Sequence, residues 1–74
     1  MNMIKYPLGD ILKRARAKKG YTQGDLAQMI GKPQGWISDV ERFLMPKFDE
    51  GIRLCILLDL DPIEVYNEII EKMK

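Results

Sequence analysis

The sequence predicts an all-α protein, a compact bundle of about five helices. Three observations carry this. Apolar residues recur at helical spacing through successive segments, as at Leu8, Ile11, Leu12 and Ala15. Capping residues stand in front of two of the segments: Thr22 with Asp25 three residues on, and Asp61 followed by Pro62 and Glu64. No stretch shows the period-two alternation of a half-buried strand. Seventy-four residues are enough for one small domain with one modest core. A chain of this size gains from idealised helix packing or from oligomerisation.

Residues 1–7 read as a short arm without periodicity, and 8–74 as the domain. The first helix starts at Leu8, carries Lys13, Arg14, Lys18 and Lys19 on its polar face, and ends at Gly20, a carboxyl-terminal cap. Positive charge in the last turns suits the helix dipole, which accounts for the basic cluster without any partner. The second helix spans 23–30, with Thr22 and Asp25 as its capping box and Leu26, Ala27 and Ile30 on one face. Gly31, Lys32 and Pro33 form a turn, and the third helix runs from Gln34 to Arg42 with Ile37 and Val40 inward. Two short helices meeting across a glycine-containing turn make a helix-turn-helix.

After the connection that ends at Pro46 and Lys47, the apolar stripe Phe48, Ile52, Cys55 and Leu58 or Asp59 marks a fourth helix from about Asp49 to Leu58. Gly51 inside it costs on the order of 1 kcal/mol against alanine, which points to close packing. The last helix covers 62–73. Its expected stripe is Ile63, Tyr66, Ile70 and Met73, widened by Val65 and Ile69. So broad an apolar surface is either a dimer seam or a wide core-facing stripe.

Composition narrows the function. A single cysteine rules out an intramolecular disulfide and a cysteine-rich zinc site, and the absence of histidine removes the commonest metal ligand and acid–base catalyst. Cys55 lies on an apolar stripe with no histidine to activate it, so it reads as a core residue. No metal, cofactor or catalytic residue is expected, and the chain does not read as an enzyme. The longest apolar run, Leu54 to Leu58, is far too short to cross a bilayer, and the amino terminus lacks a signal-peptide pattern. A cytoplasmic location is expected. Residues 1–42 carry eight Lys/Arg against four Asp/Glu, whereas 43–74 carry four against seven. A basic half joined to an acidic half points to one face that meets a polyanion. Charges scattered over solvated helix faces are the simpler alternative.

The run from Leu12 to Arg42, L-K-R-A-R-A-K-K-G-Y-T-Q-G-D-L-A-Q-M-I-G-K-P-Q-G-W-I-S-D-V-E-R, resembles the Cro/phage-repressor (Xre-type) helix-turn-helix family. The matching positions are Arg16, Gly20, Thr22-Gln23, Leu26-Ala27, Ile30-Gly31, Ile37-Ser38 and Glu41. The likeness extends over about residues 8–62. It implies a lambda-repressor-like DNA-binding domain, with helix 34–42 in the major groove of double-stranded DNA and its amino-terminal residues toward base edges. By position, Gln23 is implied as a phosphate contact at the start of its helix. Gln34 is implied either to read an adenine edge or to brace Gln23. Ser38 and Asp39 lie one turn further on, and Lys32 and Arg42 are phosphate candidates. Arg16 and Glu41 are implied to form a structural salt bridge and not a DNA contact.

This chain departs from the family pattern at three places. Gly35 replaces a longer base-reading side chain. Asp39 puts a carboxylate on the reading helix, where it either accepts from a cytosine amino group or pairs with Arg42. Phe43 replaces the glycine that usually follows the third helix, in a loop one residue short. Trp36 either packs on sugar–phosphate or thymine methyl groups or fills the helix junction; partial burial is expected. Two functions compete. One is a sequence-specific transcriptional regulator, a homodimeric repressor or autoregulator that pairs through its carboxyl-terminal helix. The other is a protein-interaction module of the same fold, such as an antitoxin or bridging factor.

Overall fold

The computed structural model describes residues 7–74. Five helices follow one another: α1 (Pro7–Lys18), α2 (Gln23–Ile30), α3 (Gln34–Arg42), α4 (Phe48–Leu57) and α5 (Pro62–Met73). The expected arm over 1–7 falls outside the described residues except for Pro7, which is already helical. α3 packs on both α1 and α2, α5 packs on α1 and α4, and α2 reaches α4.

Local chemistry sets the ends of these helices. The Thr22 side chain accepts from the Asp25 amide (3.0 Å), and the Asp25 carboxylate accepts from the Thr22 amide (2.9 Å). Two otherwise orphaned amides at the start of α2 are thereby satisfied. At its other end Gly31 adopts φ +77°, a left-handed conformation that costs a residue with a Cβ roughly 1–2 kcal/mol. That reversal lets the Lys32 amide reach back to the Ala27 carbonyl (2.9 Å) and turns the chain into α3. Gly20 closes α1 in the same way. Asp61 caps α5 by accepting from the Ile63 amide (2.9 Å), with Pro62 in the first turn. Phe43 leaves α3 with φ −156°, so the exit from this helix requires no left-handed residue.

The core is built around six fully enclosed side chains: Leu8, Leu12, Leu26, Ile37, Leu54 and Cys55. Each large aliphatic contributes about 1.5–3 kcal/mol by leaving water. Burial also pushes the Cys55 thiol above its ordinary pKa, as befits a small core hydrophobe. Gly9 lies against α3 so tightly that a Cβ there would come 2.5 Å from the Val40 carbonyl oxygen.

Two expected stripes are corrected. On α4 the inward residues are Gly51, Leu54 and Cys55, continued by Leu58. Phe48 is 67% exposed, and Asp59 lies outward beyond the helix end. On α5 the buried residues are Val65 and Ile69, with Tyr66 half-buried, while Ile63, Ile70 and Met73 face outward. The cause is the seating of α5: the Tyr66 ring wedges over Gly51, where an added Cβ would lie 1.8 Å from the tyrosine hydroxyl. The ring also packs edge-on against Phe48, centroids 5.2 Å apart. With the ring so placed, Val65 and Ile69 turn to the core and the opposite apolar edge is left uncovered.

Candidate nucleic-acid interface

The two helices of the turn motif are held from behind by one carboxylate. Glu41, on the inner side of α3, is 4% exposed. The Arg16 guanidinium donates to it twice, Nε to Oε2 at 2.6 Å and Nη2 to Oε1 at 3.1 Å, and Nη1 donates to the Tyr21 carbonyl at 2.7 Å. Gln23 supplies a further donor, Nε2 to Glu41 Oε1 at 3.0 Å. A buried carboxylate must be both neutralised and saturated with donors, and this one receives a guanidinium fork and an amide. The same interaction raises the Arg16 pKa above its ordinary value. One side chain from α1 and one from the start of α2 therefore fix the rotation of α3.

The geometry adds a bracing role for Gln23: its half-buried side-chain amide donates one N–H to Glu41, a contact the phosphate role implied for this position did not include. Gln34 makes no hydrogen bond to Gln23; its side-chain carbonyl lies over Gly24, 3.5 Å from where a Cβ would stand. Gln34, Gly35 and Arg42 are exposed, and Ser38 and Asp39 are half-exposed. Space around Gly35 is open, with nothing within 4 Å of an added Cβ, so no packing demand explains the glycine. The outer edge of α3 is thus a polar surface backed by a rigid interior.

The charged groups around this edge are paired within the protein. Asp39 accepts from Arg42 at 3.2 Å, the intrahelical arrangement. The Arg42 guanidinium carbon also lies 5.6 Å from the centroid of the Phe43 ring. Lys32, in the turn, is bound to Glu50 of α4 at 2.7 Å, and its ammonium stands 5.1 Å from the centroid of the Trp36 ring. Trp36 is half-buried. Glu50 is the residue that the sequence alone did not single out. It is 9% exposed and also accepts from the Lys47 amide at 2.9 Å. Lys32 first, and then that amide, hold its carboxyl below the usual glutamate range. The local signal was present, since Glu50 occupies the third position of α4, where a carboxylate returns to the cap amide.

Comparisons with known proteins agree with this architecture. No curated protein sequence matches the chain. Among solved structures, the chain is similar to SinR, the master regulator for biofilm formation, in its complex with DNA. That likeness has a TM-score of 0.70 at 24% identity and covers 80% of this chain and 97% of the other. The helix-turn-helix family model HTH_3 matches residues 12–65, most of the chain, from the middle of α1 through the whole of α2, α3 and α4 to the first turn of α5. The protein belongs to the Xre/Cro-type helix-turn-helix family of DNA-binding transcription regulators.

Proposed function

We propose that this protein is a sequence-specific regulator that binds double-stranded DNA as a homodimer and acts as a repressor or autoregulator in the cytoplasm. α3 enters the major groove and presents Gln34, Gly35 and Ser38 to base edges. Backbone amides at the start of α2, together with Lys32 and Arg42, meet phosphates. The observation that supports this most is the outer edge of α3: polar, open, and fixed in rotation by Arg16 and Gln23 through a buried Glu41. The SinR structure, a similar fold in complex with DNA, favours the same use of the fold here.

The dimer draws on the uncovered edge of α5. Ile63, Ile70 and Met73 are 72%, 54% and 61% exposed, and Phe48 beside them is 67% exposed. A contiguous apolar face on so small a chain suits a two-fold contact between copies, which would set two half-sites about one helical turn, roughly 34 Å, apart. The same face also favours the second reading, an interaction module such as an antitoxin or bridging factor. Selection of bound sequences from a random duplex pool at moderate salt tests the proposal. An inverted repeat is expected, with affinity that falls steeply as salt rises through counterion release. Recovery of no sequence, or salt-insensitive binding to a protein partner, would overturn it in favour of the second reading.

A further inference from the structure

Lys32 is held on two sides. Its ammonium is bound to Glu50 at 2.7 Å and stands over the Trp36 ring at 5.1 Å from the centroid. Glu50 belongs to α4 and lies outside the helix-turn-helix, yet it is enclosed at 9% exposure and is fixed by the Lys47 amide at 2.9 Å. A carboxylate anchored to its own helix start is a rigid post, whereas a lysine side chain has four rotatable bonds and holds no position unaided. Trp36 lies in the first turn of α3, half-buried and packed against the core, and the Lys32 ammonium is a further contact on its ring.

We propose that Glu50 is a positioning residue of the DNA-reading surface: through Lys32 it fixes the indole of Trp36 on α3. The inference rests on the DNA-binding reading above and deepens it, since it assigns part of sequence discrimination to a residue that touches neither bases nor phosphates. Glu50 holds Lys32, Lys32 holds the indole, and the indole shapes the amino-terminal end of the reading helix. A cation–π contact at an exposed site biases the ring by about two- to fivefold between held and released positions. In Glu50→Gln alone there is a second effect in the same direction, because a Lys32 ammonium without its carboxylate partner makes a stronger sequence-independent contact with phosphate.

Trp36 is the single tryptophan of the chain, so intrinsic fluorescence reports this one ring. The variants are Glu50→Gln, which keeps an acceptor for the Lys47 amide while removing the charge, Lys32→Met, and Lys32→Arg, which preserves the cation. In DNA-free protein, Glu50→Gln and Lys32→Met are expected to shift Trp36 emission and raise its quenching by acrylamide. The double variant should add nothing to either, and Lys32→Arg should retain the parental signal. The ratio of affinities for the selected and an unrelated duplex is expected to fall about two- to fivefold in Glu50→Gln and Lys32→Met, and to be kept in Lys32→Arg. Thermal melting confirms that each variant is folded. Unchanged emission and quenching in folded Glu50→Gln would overturn the proposal. So would additive effects in the double variant, which would mean that Glu50 does not act through Lys32. A parent that binds no duplex would overturn the DNA-reading role itself, whereas the DNA-free fluorescence separately decides whether Glu50 holds the indole.

Discussion

Arg16 of α1 and Glu41 of α3 are joined by two hydrogen bonds, 2.6 and 3.1 Å, at a carboxylate that is almost wholly enclosed. Removing either partner leaves a buried charge without compensation. Arg16→Ala and Glu41→Ala are each expected to cost about 3–5 kcal/mol. Against a total stability of roughly 5–15 kcal/mol for a domain, that is a large fraction, and it should appear as a lowered midpoint in urea. Gln23→Ala, which removes one neutral donor from the same carboxylate, should cost about 1–3 kcal/mol. Midpoints equal to the parent in both charge variants would show that the pair does not brace α3.

Gly9 tests the closeness of α1 to α3. An added methyl meets the Val40 carbonyl oxygen at 2.5 Å and the Glu41 carbonyl oxygen at 2.9 Å, both backbone atoms that cannot rotate away. Alanine normally helps a helix, but here overpacking of about 1–3 kcal/mol outweighs that gain. Gly9→Ala should therefore destabilise, measured as a fall in melting temperature. An increase would mean that α1 can lift from α3 at little cost.

Acid should weaken the fold through two carboxylates. Hydrogen bonds from Thr22, backbone first and then side chain, lower the Asp25 pKa below its ordinary 3.8, and Lys32 followed by the Lys47 amide lowers that of Glu50 below 4.5. A carboxyl depressed in the folded state contributes stability that is fully present above its unfolded pKa. That contribution is lost as pH falls through the folded value. The melting temperature of the parent should thus drop more steeply between about pH 5 and about pH 3 than that of an Asp25→Asn, Glu50→Gln double variant. Parallel pH profiles would remove these two groups from the acid limb.

On DNA, the exposed residues should separate by role. Gln34→Ala is expected to lose about 1–3 kcal/mol at one base position and leave melting unchanged. Arg42→Ala should weaken all duplexes alike and reduce the log–log salt slope by about 1. Unchanged affinity in Gln34→Ala would exclude it as a reader.

The uncovered face of α5 can be probed without touching the core. Ile63→Lys and Ile70→Lys replace side chains that are 72% and 54% exposed, so the monomer fold should persist. Sedimentation should show the parent as a dimer and both variants as monomers, since a charge on each side of a two-fold contact is repeated at its mate. A parent that remains monomeric with and without DNA would end the dimer assignment.

How much of this was legible in the sequence follows the range of each interaction. The Thr22–Asp25 box, the Asp61 cap and the Gly31 reversal involve neighbours, and their residue types announce them. Leu26, Ala27, Ile30, Ile37 and Val40 were readable because short amphipathic helices have only one apolar face to bury. α5 was different, because apolar residues occupy two overlapping stripes and local periodicity cannot choose between them. The choice is made by Tyr66 fitting over Gly51, a contact between helices. For the same reason the sequence could not show that Lys32 meets Glu50, which is separated from it by the whole of α3. Resemblance to a family supplied Arg16 and Glu41 as partners. Gln23 turning inward to the same carboxylate became visible only once three helices were placed together.

The enclosed Glu41 also separates two tasks along a single nine-residue helix. Everything that orients α3 lies on its inner side, whereas Gln34, Gly35 and Ser38 on the outer side hold nothing in place. Substitutions on that outer edge can therefore change the chemistry of the exposed surface without loss of the fold. In such a molecule the outer surface is free to vary while the scaffold stays fixed, and Gly35, with open space around it, is the position at which a new side chain is most easily accommodated.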